Sequence, residues 1–367
     1  MKNIMILNLG KEFGGTEKYI LNILENINFN KYNIHICTRK DSKFSKKLKE
    51  IENENINLLE LEFSKKHILN AIKILKKYIN KCNIKVIHSN GITSDLISNL
   101  CRKKNGNIKI ISTVHGFSNF DRMNRSYVER KTFEILEKIL FKYNDYYIAV
   151  SNSIKNYLIN KGLNESKINL IYHSIKINDE NTYTCLNTND KEFIIGSVGR
   201  LEEVKGYDIL INAVKLLKDD GYIIKCILVG EGKEKIYLEK LSLELGVRDN
   251  IVFEGFKNNV DFEIKKMDIY IQPSRQESFG ISILEAMNNC KPIVATRVGG
   301  IVEIIDDEVN GILFELEDKY GLYRKIKGII ENPLQAEKLA IEGKSKLVKD
   351  FSINKFISKL EEIYDKA

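Results

Sequence analysis

Short, nearly continuous apolar runs alternate along this chain with longer stretches in which apolar residues recur every three or four positions. The first pattern suits a strand buried on both faces, the second an amphipathic helix. In the first half the pattern predicts strands at Lys2–Leu9, Asn33–Thr38, Asn57–Leu61, Lys85–His88, Lys109–Val114, Asp145–Val150 and Lys167–Tyr172. Helices are predicted between them, from Gly15 to about Asn28, then Lys43–Glu52, Lys66–Lys81, Thr93–Lys103, Tyr127–Lys142 and Ser153–Asn160. Residues 173–191 are polar and aperiodic, as a linker would be. The alternation then restarts, with strands at Glu192–Val198, Ile223–Val229, Asn250–Phe253, Asp268–Gln272, Pro292–Ala295 and Gly311–Phe314. Helices at Gly206–Lys218, Lys233–Leu245, Val260–Lys266 and Gly280–Asn289 lie among them, and Tyr320–Ile330, Pro333–Val348 and Ile353–Asp365 follow.

Such alternation predicts an α/β chain with parallel sheets covered on both faces. The expected architecture is two doubly wound domains, 1–172 and 192–350, with the final helix, about 351–367, packing back on the first. Ligands of such sheets sit outside the carboxyl ends of the strands, so two facing domains would hold a cleft between them.

A length of 367 residues fits two domains. Apolar residues at 43% and charged residues at 29% exclude a disordered or fibrous protein. No apolar run approaches the ~20 residues that span a bilayer, and Met1–Asn8 is too short for a signal-peptide core. The expected location is therefore cytoplasmic. Cys37, Cys82, Cys101, Cys185, Cys226 and Cys290 are scattered without a Cys-x-x-Cys, which predicts reduced thiols rather than a zinc site or a disulfide framework.

The net charge of +8 conceals an asymmetry. Residues 1–172 carry 30 Lys and Arg against 16 Asp and Glu, an excess of +14, which leaves −6 on the rest. An anionic partner for the first half, a membrane surface or a nucleic acid, would account for it, as would a merely solvated face.

Candidate chemistry sits at the predicted strand ends. Gly14-Gly15 follows the first strand and opens a helix, where backbone N–H groups can approach an anion. His115-Gly116 follows Val114. Gly199-Arg200 ends the strand at Val198, and Lys205-Gly206 opens the next helix. An Arg fork and a Lys point charge in one loop can hold a diphosphate without a metal, and the chain contains no Asp-x-Asp. After Gln272 comes Pro273-Ser274-Arg275-Gln276-Glu277-Ser278-Phe279-Gly280. Glu277 precedes a helix and Glu285 lies within it, two carboxylates suited to the hydroxyls of vicinal diols. A further glycine pair, Gly299-Gly300, follows the strand at Ala295, with Glu303 behind it.

These residues together resemble the retaining, nucleotide-sugar-dependent glycosyltransferases of the GT-B fold, family 4. The resemblance covers nearly the whole chain. Its most specific element is Glu277-x7-Glu285, followed by Gly199-Arg200-Leu201…Lys205-Gly206; Gly14-Gly15-x-Glu17 and His115-Gly116 support it. Ile301 stands where the family often has Pro, and Tyr172-His173-Ser174-Ile175 replaces the usual Asn-Gly-Ile/Val-Asp at the hinge. The resemblance implies that Arg200 and Lys205 grip the donor diphosphate. It implies that Glu277 contacts the transferred sugar and Glu285 the ribose hydroxyls. Gly14, Gly15 and the backbone of Phe279, Gly280 and Ile281 would line the phosphates, Phe256 would border the base, and His115 would touch the donor sugar near the reacting carbon.

The implied reaction moves a hexose or N-acetylhexosamine, with retention and without metal or other cofactor, from a nucleotide-diphosphate sugar to a saccharide or lipid-linked acceptor. A UDP-sugar is the favoured donor, and bacterial surface polysaccharide (capsule, exopolysaccharide or lipopolysaccharide) the favoured product. Such work is done at the cytoplasmic face of the membrane. The basic stretches His67–Tyr78 and Tyr127–Leu136 of the first domain would attach it peripherally to anionic lipid, unless their apolar stripes pack on the sheet. Two other readings compete. A sugar-nucleotide epimerase of the same fold would use similar diphosphate contacts but lacks an evident acid–base pair. An RNA-binding protein would explain the +14 excess but shows none of the known motifs. A nicotinamide dehydrogenase is excluded by the missing glycine fingerprint.

Overall fold

The computed structural model describes residues 1–367 except 12, 52, 65, 103–107, 118–125 and 179–191, and the side chain of 130. Most of the expected linker, with Cys185, and the end of the helix predicted to reach Lys103 lie outside the described residues. The chain divides into two units, Met1–Ser174 with Ile353–Ala367, and Ile175–Ser352.

In the first unit, strands β1 (Lys2–Asn8), β2 (Tyr32–Arg39), β3 (Ile56–Leu61), β4 (Val86–Asn90), β5 (Lys109–Val114), β6 (Tyr146–Ala149) and β7 (Ile168–Leu170) alternate with helices. These helices are α1 (Gly15–Asn26), α2 (Lys43–Leu48), α3 (Ile68–Lys81), α4 (Ile92–Cys101), α5 (Tyr127–Tyr143) and α6 (Asn152–Asn160). The sheet is parallel in the order β3-β2-β1-β4-β5-β6-β7, with Ile6 paired to Ile36 and to His88. The order turns back between β1 and β4, and a ligand crevice opens at such a switch point. Helix α2 ends at Leu48, before the predicted Glu52, which is outside the described residues.

The second unit holds β8 (Phe193–Val198), β9 (Ile224–Val229), β10 (Ile251–Gly255), β11 (Ile269–Gln272), β12 (Ile293–Thr296) and β13 (Ile312–Phe314), parallel in the order β10-β9-β8-β11-β12-β13. Its helices are α7 (Tyr207–Asp219), α8 (Lys235–Glu244), α9 (Asp261–Lys266), α10 (Ile281–Asn288), α11 (Ile301–Ile304), α12 (Lys319–Glu331) and α13 (Pro333–Asp350). The single turn α11 lacks the length to leave a periodic signal, and the pattern did not predict it. Here the switch point falls between β8 and β11.

The last helix, α14 (Ile353–Lys366), belongs to the first unit. Its apolar stripe of Phe356, Ile357, Leu360, Ile363 and Tyr364 joins the core that β1, β2 and α1 build from Ile4, Ile6, Ile20, Ile34 and Ile36. The opposite face of the sheet buries Met5, Leu7 and Ile87 against Ala71, Leu75 and Ile79 of α3. The apolar stripe of α3 therefore packs on the sheet, whereas Tyr127, Val128, Ile135, Ile139 and Tyr143 of α5 are exposed. In the second unit, Ile195, Cys226 and Ile271 pack with Leu210, Val214 and Leu217 of α7 and Ile326 and Ile329 of α12. Lys344 of α13 is buried, and its ammonium donates to the backbone and side-chain oxygens of both Asn178 and Asn288 at 2.6–3.0 Å. Among the described residues no helix is long and apolar enough to cross a membrane.

Candidate functional site

The sequence-predicted residues fall into two groups, one in each unit, most of them at or next to its switch point. In the second unit, β8 delivers Arg200, which is exposed, and the turn after it delivers Lys205. The neighbouring strand β11 delivers the loop that carries Glu277. Lys205 Nζ lies 2.6 Å from Glu277 Oε2, with the two side chains only 17% and 13% exposed. The pair is therefore largely shielded from water, where opposite charges attract more strongly and each is costly to leave alone.

A buried hydrogen-bond chain sets the Glu277 carboxylate. Tyr270 donates its hydroxyl to Gln272 Oε1 at 2.8 Å, as does Ser282 at 3.0 Å. The Gln272 amide then donates to Ser274 Oγ at 2.7 Å and to Glu277 Oε2 at 3.3 Å. Backbone packing fixes the same loop from below. The Gly300 N–H donates to the Glu277 carbonyl at 2.9 Å. Gly299 sits at φ +51°, where a Cβ would come within 1.9 Å of that carbonyl oxygen. Gly206 (φ +65°) is as tightly held, 2.0 Å from the Pro273 carbonyl by the same measure.

Gly280, at φ +114°, turns the chain into α10, which Ile281 begins. The Ile283 amide donates back to the Gly280 carbonyl at 2.9 Å, and the helix dipole favours an anion at this end. Glu285, one turn on, is 9% exposed. The Phe279 ring packs edge-on against Phe351, 5.6 Å between centroids, so its side chain serves the core and only its backbone faces the loop. Phe256 follows β10 at the edge of the sheet, two strands from β8, and is 40% exposed.

In the first unit, Gly14 and Gly15 open α1 at the end of β1. The Gly14 N–H donates to Glu17 Oε2 at 2.8 Å, and Asn8 donates to the other oxygen at 2.8 Å. Glu17 thus satisfies the Gly14 amide that the sequence offered to a phosphate, as expected of a capping box. His115 follows β5, and its Nε2 lies 2.8 Å from Asn90 Oδ1 at the end of β4. Tyr19 of α1 meets the His115 ring edge-on at 4.9 Å, and His173 stacks on it at 5.5 Å and 26°. Burial, with His173 and His88 nearby, holds His115 well below the usual histidine range, and burial holds His88 and His173 at about 3. All three rings are neutral at pH 7. Asn90 and Tyr19 escaped the sequence reading; the alternation of His88 and Asn90 at a strand's carboxyl end was the available signal.

Two family models together match most of the chain: glycosyltransferase family 4 over residues 13–179 and glycosyl transferases group 1 over residues 180–346. An uncharacterised glycosyltransferase of Methanocaldococcus jannaschii is 30% identical over 362 residues, covering 96% of this chain and 94% of that protein. The O-antigen biosynthesis glycosyltransferase WclY of Escherichia coli is 25% identical over 292 residues, covering 72% and 79%. Among solved structures, HepE of Anabaena in complex with UDP-glucose is similar with a TM-score of 0.84 at 18% identity, covering 100% of both chains. The fold is accordingly GT-B. Models over both units and a relative matched nearly end to end assign the chain to the group 1, family 4 glycosyltransferases.

Proposed function

We propose that this glycosyltransferase takes a hexose or N-acetylhexosamine from a nucleotide-diphosphate sugar, with retention, and places it on a saccharide or lipid-linked acceptor of a bacterial surface polysaccharide. The observation that carries the donor half is the Lys205–Glu277 pair at the β8/β11 switch point, beside the opening of α10. Departure of a nucleoside diphosphate builds negative charge, and a fixed cation with oriented amides stabilises it. In this reading Arg200 and Lys205 hold the diphosphate, Glu277 the sugar and Glu285 the ribose. Gly15 and the backbone of Phe279, Gly280 and Ile281 approach the phosphates, and Phe256 borders the base. His115 contacts the transferred sugar. The structural relatives with UDP and UDP-glucose bound support a UDP-sugar. Names such as O-antigen biosynthesis and lipopolysaccharide core biosynthesis among the relatives support the product class.

No metal enters this reading, because the two cations take the place of one. The test is donor turnover and thermal shift against UDP-, GDP- and ADP-sugars, each with and without EDTA. Turnover of a UDP-sugar that survives EDTA supports the proposal; dependence on Mg²⁺ or Mn²⁺, or preference for another base, overturns that part of it.

The enzyme works, in this proposal, against an anionic membrane surface. Support comes from α5, whose exposed Val128, Ile135 and Ile139 lie among the exposed Lys131, Lys138 and Lys142. Apolar residues flanked by lysines suit the boundary between headgroups and acyl chains.

A further inference from the structure

Four side chains on one face of the first sheet are spaced two apart on adjacent strands: His88 and Asn90 on β4, Thr113 and His115 on and just after β5. Tyr19 lies across them, with its ring edge-on to His88 (6.0 Å), His115 (4.9 Å) and His173 (5.2 Å). Thr113 Oγ1 links His88 Nε2 at 2.6 Å to the Tyr19 hydroxyl at 3.2 Å, and His88 Nδ1 meets the Tyr364 hydroxyl of α14 at 2.6 Å. His88 is thereby occupied at both nitrogens. His115 is not. Its Nε2 faces Asn90 Oδ1, whereas its Nδ1 is buried without a partner. Asn90 is itself 5% exposed, and its Nδ2 is likewise buried without a partner.

Unpaired buried polar atoms are rare and costly, and one at the carboxyl end of a parallel strand wants a ligand. An amide oxygen accepts only, so the Nε2 facing it carries the proton and Nδ1 presents a lone pair. We propose that Asn90 is a positioning residue that fixes the Nε2–H tautomer of His115, so that His115 Nδ1 offers its lone pair to a sugar hydroxyl. The hydroxyl donates to that nitrogen and so satisfies it. The inference rests on the sugar-transfer reading for its ligand, but the tautomer does not depend on it.

The surroundings keep the His115 ring uncharged. The titratable groups facing it are His173, His88 and Tyr19, none of them a carboxylate. Carboxylates on the adjoining helices are engaged elsewhere: Glu17 of α1 with Asn8 and Gly14, and Asp95 of α4 with Ser89 and Ser112.

The test labels histidine nitrogens in the full chain and follows the rings by NMR from pH 8 to pH 5. An Nε2–H tautomer for His115 that does not titrate in this range is expected. Asn90→Asp places a carboxylate against the same nitrogen and should bring a His115 titration into the window, while His88 and His173 stay unchanged. An Nδ1–H tautomer in the wild type, or an Asn90→Asp spectrum in which His115 still fails to titrate, overturns the proposal. Asn90→Ala should lower kcat by roughly 10-fold, the scale of one hydrogen bond to a fixed group, with a smaller change in donor KM. Unchanged kcat and KM would remove the positioning role. A chain that turns over no nucleotide sugar would sink the functional reading instead, and the spectra would still decide the tautomer.

Discussion

Lys205 and Glu277, on which the proposed donor site centres, touch each other directly. Removing either leaves a shielded charge without its counterpart, so single and double changes should not add. A double-mutant cycle of Lys205→Met and Glu277→Gln, read by thermal unfolding, should give a coupling of about 1–3 kcal/mol. Coupling near zero would mean that the two act independently. Gly299 is the second decisive position. A methyl there would meet the Glu277 carbonyl oxygen at 1.9 Å and demand φ +51° of an L-residue. Gly299→Ala should therefore displace the Glu277 loop and cut donor turnover by more than ~10-fold, whereas full activity would show that the loop tolerates the shift. The sequence displayed Lys205, Glu277 and Gly299 because charge and glycine in strand-to-helix loops are conspicuous. It concealed Asn90 and Tyr19, whose importance comes from which strands and helices become neighbours.

Single elements carry two further consequences. The helix α13 is tied to α10 by one buried ammonium, that of Lys344, which reaches Asn288 at the end of α10 and Asn178 just ahead of the undescribed 179–191. Lys344→Met keeps the apolar stem but removes the donor to the buried Asn288 carbonyl and to both half-buried Asn178 oxygens, while Asn288 Oδ1 keeps the Asn178 N–H. A loss of about 2–4 kcal/mol in the second unit is expected, and a melting temperature equal to wild type would contradict it. Helix α5 is the other case. Periodicity located its apolar residues, but only the packing reveals that Val128, Ile135 and Ile139 face outward while Leu140 and Phe141 are buried, and that the stripe of α3 faces the sheet. Full-length protein should co-sediment with anionic vesicles at low salt, less so at high salt, and Lys131→Glu/Lys138→Glu/Lys142→Glu should abolish the binding. Equal binding to neutral vesicles, or none to either, would reduce α5 to an ordinary exposed helix. That both sheets are parallel also followed from element type, since strands alternating with helices call for crossover connections, whereas the strand order is seen only in the structure.

At the scale of the whole chain, the two units should answer differently to acid. All five histidines, residues 35, 67, 88, 115 and 173, belong to the first unit. His88 and His173 are held at about 3 by burial, against about 6.5 in the unfolded chain. Below pH 6.5 the unfolded state binds protons that the folded state refuses, so stability falls as pH drops from 6.5 towards 3. At pH 5 each of the two contributes a loss of about 2 kcal/mol, and His115 acts in the same direction. Asp95, raised to about 6 by burial, works the other way and returns about 1 kcal/mol at pH 5. The first unit should thus melt at a markedly lower temperature at pH 5 than at pH 7.5, and the second, without a histidine, should change much less. Parallel shifts of both transitions would refute this. The same division bears on how the molecule is made. A ribosome delivers residues 353–367 only after all of 175–352, so the tyrosine that meets His88 arrives last. The second unit is continuous in sequence and can close while synthesis proceeds. The first must wait with an open core through the birth of its neighbour, reversing the usual order in which the leading domain matures first.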